Sequence, residues 1–204
     1  AADVVTQIDI QAQTIILDIL APTIKRYDLG LLAEEGEQDD SRLEKHAFWT
    51  IDPLDGTRYF IDGQPGYATS IALVSQSGDP ILGVVYDPVH DALYEAVVGK
   101  GVLLNGEQLA LKRDDVSQRT TWFADVSLRK DPKFAEYSDQ FEIAFVGGAV
   151  MNIVQLLSTP NSVYLKAPKT TLGGCAIWDL AAVSLMLSEQ SGTATFYDGS
   201  PLHL

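Results

Sequence analysis

The chain has 204 residues, 46% of them hydrophobic, and a net charge of −14 at pH 7. That size and composition suit one sizeable core, and no apolar run approaches the ~20 residues of a membrane-spanning helix. So acidic a surface repels phosphate polymers and excludes a nucleic-acid-coating role, but a small phosphorylated ligand escapes that exclusion wherever bound cations reverse the local field.

The start, Ala1-Ala2-Asp3-Val4, has neither the basic residues nor the apolar stretch of a signal peptide, so the chain reads as soluble and cytoplasmic. The single cysteine, Cys175, rules out an internal disulfide or a Cys-based zinc site. Among Gly173, Gly174, Ala176 and Ile177 it reads as a small buried filler. His46, His90 and His203 share no metal-ligand spacing.

Apolar residues at helical spacing (Ile8, Ala12, Ile15, Ile16, Ile19, Leu20) predict an amphipathic helix from Ile8 to Tyr27, with Pro22 able to kink its last turns. Leu29 to Ala33 is a strand running into Glu34-Glu35, and Glu37 to Lys45 is a charged, solvated loop or short helix. A second strand, Ala47 to Ile51, ends at Asp52-Pro53. Tyr67 to Val74, Ile81 to Tyr86 and Ala92 to Val98 alternate with turn-rich segments and predict an antiparallel meander. Asn105-Gly106 is a two-residue hairpin turn.

The pattern changes near Asp114-Asp115. Thr120 to Val126, Phe141 to Val146 and Ser162 to Leu165 read as strands, with helices near Asp131 to Ser138 and Ala149 to Ser158 between them and a further helix over Asp179 to Glu189. The expected fold is α/β (α+β), a stack of helix and sheet layers. Residues 1–114 form an N-terminal half with the antiparallel sheet, residues 115–204 form an α/β half, and the site lies between them in one compact unit.

The chemistry concentrates in Asp52-Pro53-Leu54-Asp55-Gly56-Thr57. Pro53 restricts the backbone and Gly56 permits a tight turn, which aims both carboxylates and the Leu54 carbonyl at one point. These are hard oxygen donors, suited to Mg²⁺. A helix starting after Gly56 would present backbone N–H groups to a phosphate, and the Thr57 hydroxyl would position a water. An ordinary Asp-Pro turn is the bland reading of the same residues. Taken singly, Glu34-Glu35 reads as a solvated pair, Asp9 as a helix cap or surface charge, and Asp179 as the N-cap of the last helix. Together, Asp9, Glu34, Asp52, Asp55 and Asp179 all sit at element ends. Brought into one place they would repel, and their pKa values would rise, unless cations neutralise them. Two or three Mg²⁺ ions would do so and leave positions open for phosphate oxygens.

In these segments the chain resembles the lithium-sensitive, Mg²⁺-dependent phosphatases of the inositol monophosphatase superfamily. Val5-Thr6-Gln7-Ile8-Asp9 is similar to that family's opening motif. Ala33-Glu34-Glu35-Gly36 is similar to its Gly-Glu-Glu segment, with alanine for the glycine. Asp52 to Thr57 matches its central signature, Gly147-Gly148-Ala149 resembles its substrate-side segment, and Ile177 to Ala182 matches its second signature.

The resemblance implies a layered αβαβα sandwich and a role for each residue. Glu34, Asp52 and the Leu54 carbonyl would bind a first metal, and Asp52, Asp55 and Asp179 a second. Glu34 and Thr57, with Asp55, form the catalytic set, the first two orienting the attacking water. Gly56, Thr57, Gly148, Ala149 and Asp179 would contact substrate, while Asp9 and Glu35 lie near the site. Water attacks phosphorus directly, with no phosphoenzyme. A homodimer is the state the resemblance implies, with no interface legible in the sequence.

Phe145 to Leu157 is most similar to the bisphosphate nucleotidase branch, which removes the 3′-phosphate of 3′-phosphoadenosine 5′-phosphate. Ala167 to Leu172 lacks the glutamate with which inositol monophosphatases bind inositol hydroxyls. Lys166 and Lys169 are candidates for a second phosphate, against the commoner role of surface lysines. An inositol or other polyol phosphate is the alternative substrate. Against the family pattern, the chain begins at the opening motif and ends before the usual last strand and helix, as a trimmed or shortened member would.

Other classes fit less well. Asp52 and Asp55 are separated by two residues rather than the one of haloacid-dehalogenase-type phosphatases. There is no Gly-x-Ser-x-Gly elbow and no Walker loop. A non-catalytic metal-binding relative is the remaining alternative.

Overall fold

A computed structural model describes residues 6–36, 40–110, 119–130, 132–166 and 174–204. Helix α1 (Gln7–Tyr27) leads to strand β1 (Gly30–Ala33), a one-turn helix α2 (Ser41–Glu44), strand β2 (Ala47–Asp55) and a short helix α3 (Thr57–Ile61). Strands β3 (Ala68–Ser75), β4 (Pro80–Asp87), β5 (Ala92–Val97), β6 (Val102–Leu104) and β7 (Glu107–Gln108) follow. Then come β8 (Thr121–Phe123), a 3₁₀ turn (Val126–Lys130), α4 (Pro132–Ser138), β9 (Glu142–Ala144), α5 (Ala149–Leu156), β10 (Ser162–Tyr164) and α6 (Ile177–Glu189). The expected change of character near Asp114-Asp115 falls outside the described residues, as does the Ala167 to Leu172 segment.

The first seven strands form one sheet in chain order, parallel between β1 and β2 and antiparallel thereafter. The expected hairpin is present: Leu104 pairs with Glu107, and Asn105 and Gly106 both take positive φ, at 50° and 80°. A second sheet, of three parallel strands, has the order β10-β8-β9. Its strands are three residues each, shorter than the apolar runs from which they were expected. The flanking Ala124, Phe141 and Phe145 instead serve the loops and the aromatic packing between layers.

Strand β3 buries Ala68, Ser70, Ala72 and Val74 by strict alternation. Its buried apolar face joins Val85, Ala96 and Val102 of the sheet, Val150, Ile153 and Val154 of α5, and Ala182, Val183 and Met186 of α6 in one core. Strand β2 is buried along almost its whole length, as a strand covered on both faces must be. Helix α1 packs on β1 and β2, while α5 and α6 cross the sheet and α5 also meets β8 and β10. Beyond the small sheet, Trp122 stacks against Phe134 of α4 and Phe141, at 5.2 and 5.6 Å between centroids. The result is the expected sequence of helix, sheet, helix, sheet and helix layers.

One close approach fixes how α6 sits. A Cβ on Gly83 of β4 would lie 2.8 Å from the Ala182 Cα, so only glycine lets the helix backbone come this near the strand.

Two expectations are corrected. First, β2 does not stop before Asp52 but continues through Pro53 to Asp55. β1 has ended at the Ala33–Ile51 pair, and on the β3 side the register shifts between Asp52 and Asp55, so the missing proline N–H breaks no ladder bond. The Thr69 hydroxyl donates to the Pro53 carbonyl at 2.9 Å. Second, α1 forms and runs on through Pro22 to Tyr27, but its buried residues are Asp9 and Gln13. Ile15 and Ile19 are 60% and 69% exposed. The expected stripe is therefore split: Ala12, Ile16 and Leu20 are half-buried, Ile8, Ile15 and Ile19 face outward, and the two fully buried positions are polar.

Candidate active site

Asp52 is the last β2 residue paired before the shift, and its Oδ1 accepts the Leu54 N–H at 2.9 Å in a local turn around Pro53. Asp55 closes the strand and accepts the Val150 N–H at 2.9 Å from the first turn of α5. Gly148, which caps α5, lies against the same carboxylate: a Cβ there would come 2.7 Å from Asp55 Cγ. Asp179 was expected to be the N-cap of the last helix. The helix instead starts earlier, at Ile177, which places Asp179 third in the helix, where it accepts the Ala176 N–H at 2.6 Å. From these three sources, the carboxylate oxygens of Asp52, Asp55 and Asp179 lie within 4.8 Å of one another, and all three residues are buried.

Glu34 stands beside this group of three. Its N–H donates to the Ile51 carbonyl at 3.0 Å, extending the β1–β2 pairing by one residue, and its carboxyl and that of Asp52 influence each other's ionisation. Glu35 is held from α1: the Gln13 amide donates to the Glu35 carbonyl at 2.5 Å and accepts its N–H at 3.0 Å. Asp9 is 1% exposed and serves twice. It completes the α1 capping box with Thr6, and it accepts the Thr57 hydroxyl at 3.2 Å. That hydroxyl also lies 3.1 Å from the Leu54 carbonyl. Gly56, at φ 82°, turns the chain from β2 into α3. Gly148 N–H is engaged by the Gly66 carbonyl at 2.8 Å, and Ala149 begins α5, buried. Of the residues expected from the sequence, Asp52, Asp55 and Asp179 converge directly, Gly148 lies against Asp55 beside the Val150 N–H, and Thr57 meets Asp9.

Crowding of acids has an electrostatic cost. Burial, followed by the repulsion of Asp179, pushes Asp55 up to about 8. Burial raises Glu34 to about 7, with Asp179, Glu35 and Asp9 adding to the rise and Asp52 opposing it. Asp52 is raised well above the usual carboxylate range by burial and then by Asp55 and Glu34, and Asp179 is raised by burial. Such a group holds protons at neutral pH or exchanges them for cations. Three buried carboxylates with oxygens close enough to share an ion are the donor set of a hard divalent cation, so the residues fit Mg²⁺. Among the described residues this is the one group of three or more potential ligands found, and it contains no histidine or cysteine. Cys175 is half-buried and its thiol is pushed up to about 12 by burial.

Sequence reasoning did not single out Asp125, which lies two residues past the end of β8. It pairs with the Lys166 ammonium at 2.7 Å and accepts from the Tyr164 hydroxyl at 3.1 Å.

The family model for the inositol monophosphatase family matches residues 1–204. The chain belongs to the inositol monophosphatase family. A curated relative, inositol-1-monophosphatase of Synechocystis sp., is 32% identical over 214 residues, covering 100% of this chain and 70% of the relative. SaIMPase-II with bound 2′AMP superposes with a TM-score of 0.81 at 27% identity, over 97% of this chain and 74% of the other. A dual-specific IMPase/NADP phosphatase with bound D-inositol-1-phosphate gives a TM-score of 0.81 at 25% identity, over 98% and 76%. Family membership makes this chain a phosphatase, a phosphoric monoester hydrolase. No helix among the described residues is long and apolar enough to cross a membrane.

Proposed function

We propose that the chain hydrolyses a small phosphate monoester with Mg²⁺ held at the Asp52, Asp55 and Asp179 carboxylates. The observation that carries this is the convergence of those three buried carboxylates, with oxygens within 4.8 Å of one another. Glu34, Asp52 and the Leu54 carbonyl would hold one ion and Asp52, Asp55 and Asp179 another. A third would lie near Asp9. Bound Mg²⁺ supplies positive charge that acidifies water and neutralises phosphate oxygens. The chain's own groups do the positioning. Glu34 and Thr57 orient the attacking water, and Asp9 keeps the Thr57 hydroxyl in place. The Gly56 and Thr57 N–H groups, with Gly148 and Ala149, line the phosphate side.

Within this class we infer that the substrate is 3′-phosphoadenosine 5′-phosphate. Two things support the reading: the similarity of Phe145 to Leu157 to the nucleotidase branch, and structural neighbours that carry 2′AMP or act as an NADP phosphatase, whose scissile phosphate sits on an adenosine ribose. Inositol 1-phosphate is the second reading, favoured by the inositol-1-monophosphatases among the relatives. A panel of phosphate monoesters assayed with and without Mg²⁺ tests both. A higher kcat/KM for inositol 1-phosphate than for the nucleotide removes the nucleotide assignment. Loss of release in high LiCl is expected, and full activity there counts against a family-type metal site.

A further inference from the structure

Strand β3 carries two hydroxyls in succession, and each holds a backbone carbonyl of a different carboxylate-bearing segment. The Thr69 hydroxyl donates to the Pro53 carbonyl at 2.9 Å, inside the irregular stretch between Asp52 and Asp55. The Ser70 hydroxyl donates to the Trp178 carbonyl at 3.1 Å, the oxygen of the peptide that joins Trp178 to Asp179. Consecutive strand residues point to opposite faces, so the two bonds leave β3 on opposite sides.

Ser70 bears on the site more directly. It is the Cα partner of Asp52 in the β2–β3 ladder, so it stands opposite one acid and grips the peptide of another. It is 1% exposed, and its neighbours on the buried face of β3 are Ala68, Ala72 and Val74. The one hydroxyl on that face is thus the one opposite Asp52. The Trp178 carbonyl has no need of it. Inside a helix such an oxygen accepts the N–H four residues on, and the serine takes its second lone pair. The contact is therefore a link from β3 to the first turn of α6 rather than relief of an orphaned group.

Two contacts then define the seat of α6. Gly83 lets the helix backbone approach the sheet at Ala182, which leaves sliding and rotation free. A hydrogen bond is directional, so the Ser70 bond restricts both at the end that carries Asp179. The oxygens of Asp52, Asp55 and Asp179 lie within 4.8 Å of one another. Mg²⁺ demands near-octahedral oxygens at about 2.1 Å, whereas Ca²⁺ takes about 2.3–2.6 Å and tolerates irregular surroundings. Carboxylates held at a fixed separation therefore discriminate by ion size.

We propose that Ser70 sets the separation of Asp52 and Asp179 and so biases the site toward Mg²⁺ and against the larger Ca²⁺. In this role Ser70 touches neither ion nor substrate; it is a positioning residue that acts through Asp179. The proposal rests on the metal-dependent reading above and adds the origin of its ion selectivity.

The test measures Mg²⁺ and Ca²⁺ binding to metal-free protein by calorimetry, for wild type, Ser70→Ala, Asp179→Ala and the double variant. The rise in melting temperature with each ion is a second readout. Alanine fits at position 70, since Ala68 and Ala72 line the same face. Ser70→Ala should weaken Mg²⁺ binding about fivefold, the factor carried by one hydrogen bond. Ca²⁺ binding should change by less than about twofold, because its looser shell absorbs the displacement. In the Asp179→Ala background, Ser70→Ala should change Mg²⁺ binding by less than about twofold, since the residue it acts through is gone. Unchanged Mg²⁺ binding in Ser70→Ala overturns the proposal. So does an equal loss for both ions, which is the mark of general loosening, or a Mg²⁺ loss that persists without Asp179. No turnover enters these measurements. A wild type that binds no Mg²⁺ overturns the metal-dependent reading itself, whereas a Ser70→Ala variant that binds both ions like wild type overturns this assignment alone.

Discussion

The Thr57 hydroxyl lies 3.2 Å from Asp9 Oδ1, so the first turns of α1 and α3 meet beside the carboxylates, 48 positions apart in the chain. With the Leu54 carbonyl also at 3.1 Å, the hydroxyl proton has acceptors on the protein side. Its lone pairs remain for a proton of the incoming water. Thr57→Val preserves the shape and removes this contact. Turnover should fall roughly 100-fold, with KM changed little, as for loss of a group that acts in the proton transfer. A variant with near-normal kcat would show that Thr57 shapes the turn and no more.

Asp55 should trade stability for activity. Its carboxylate is buried against Asp179 and pushed up to about 8, so without metal its charge opposes folding. Asparagine keeps an acceptor for the Val150 N–H and carries no charge. Asp55→Asn should abolish Mg²⁺-dependent phosphate release while raising the melting temperature in EDTA at pH 8. Wild type should also gain stability from added MgCl₂, by mass action, and the variant should gain far less. A variant less stable than wild type in EDTA would contradict this account.

The same crowding predicts an unusual pH dependence. Glu34 and Asp55 ionise near pH 4 in the unfolded chain, but only toward about 7 and about 8 in the folded one. Through that window the native state binds protons that the unfolded state has released, so stability must fall as pH rises. In EDTA the melting temperature should be higher at pH 5 than at pH 8. Saturating Mg²⁺ should reverse the trend, because cations then take the place of the protons. A flat profile in EDTA would mean that the acids are better solvated than their burial implies.

Gly83 is a steric prediction independent of the chemistry. A methyl group there meets the Ala182 backbone at 2.8 Å, not a flexible side chain. Gly83→Ala should destabilise the fold by about 1–3 kcal/mol, the usual penalty for overpacking. By pushing α6 away it should also displace Asp179 and weaken Mg²⁺ binding. Unchanged melting and metal titration would show that the helix can slide at no cost.

The acids were legible only in combination: singly, Glu34 with Glu35 read as a solvated pair and Asp179 as a helix cap, and it was the order of several short motifs along the chain that set them beside Asp52 and Asp55. The antiparallel meander was plain, since alternation and turn residues are local signals. What escaped was whatever depended on packing between distant segments. Helix α1 buries Asp9 and Gln13 most deeply and leaves Ile15 and Ile19 exposed, a division that periodicity alone does not make. The passage of β2 through Pro53 depends on where its neighbours stop. Asp125 fell within the strand expected over Thr120 to Val126, and only the topology, with β8 ending at Phe123 beside β10, brings it to Lys166.

The paired hydrogen bonds from Gln13 to Glu35 have a mechanical consequence. One amide grips both backbone polar groups of that residue, as an adjoining strand would, and the neighbouring Glu34 travels with it. Tilting α1 on the sheet would therefore swing Glu34, the acid proposed to orient the attacking water, making hydrolysis sensitive to how firmly a largely solvent-exposed helix is seated.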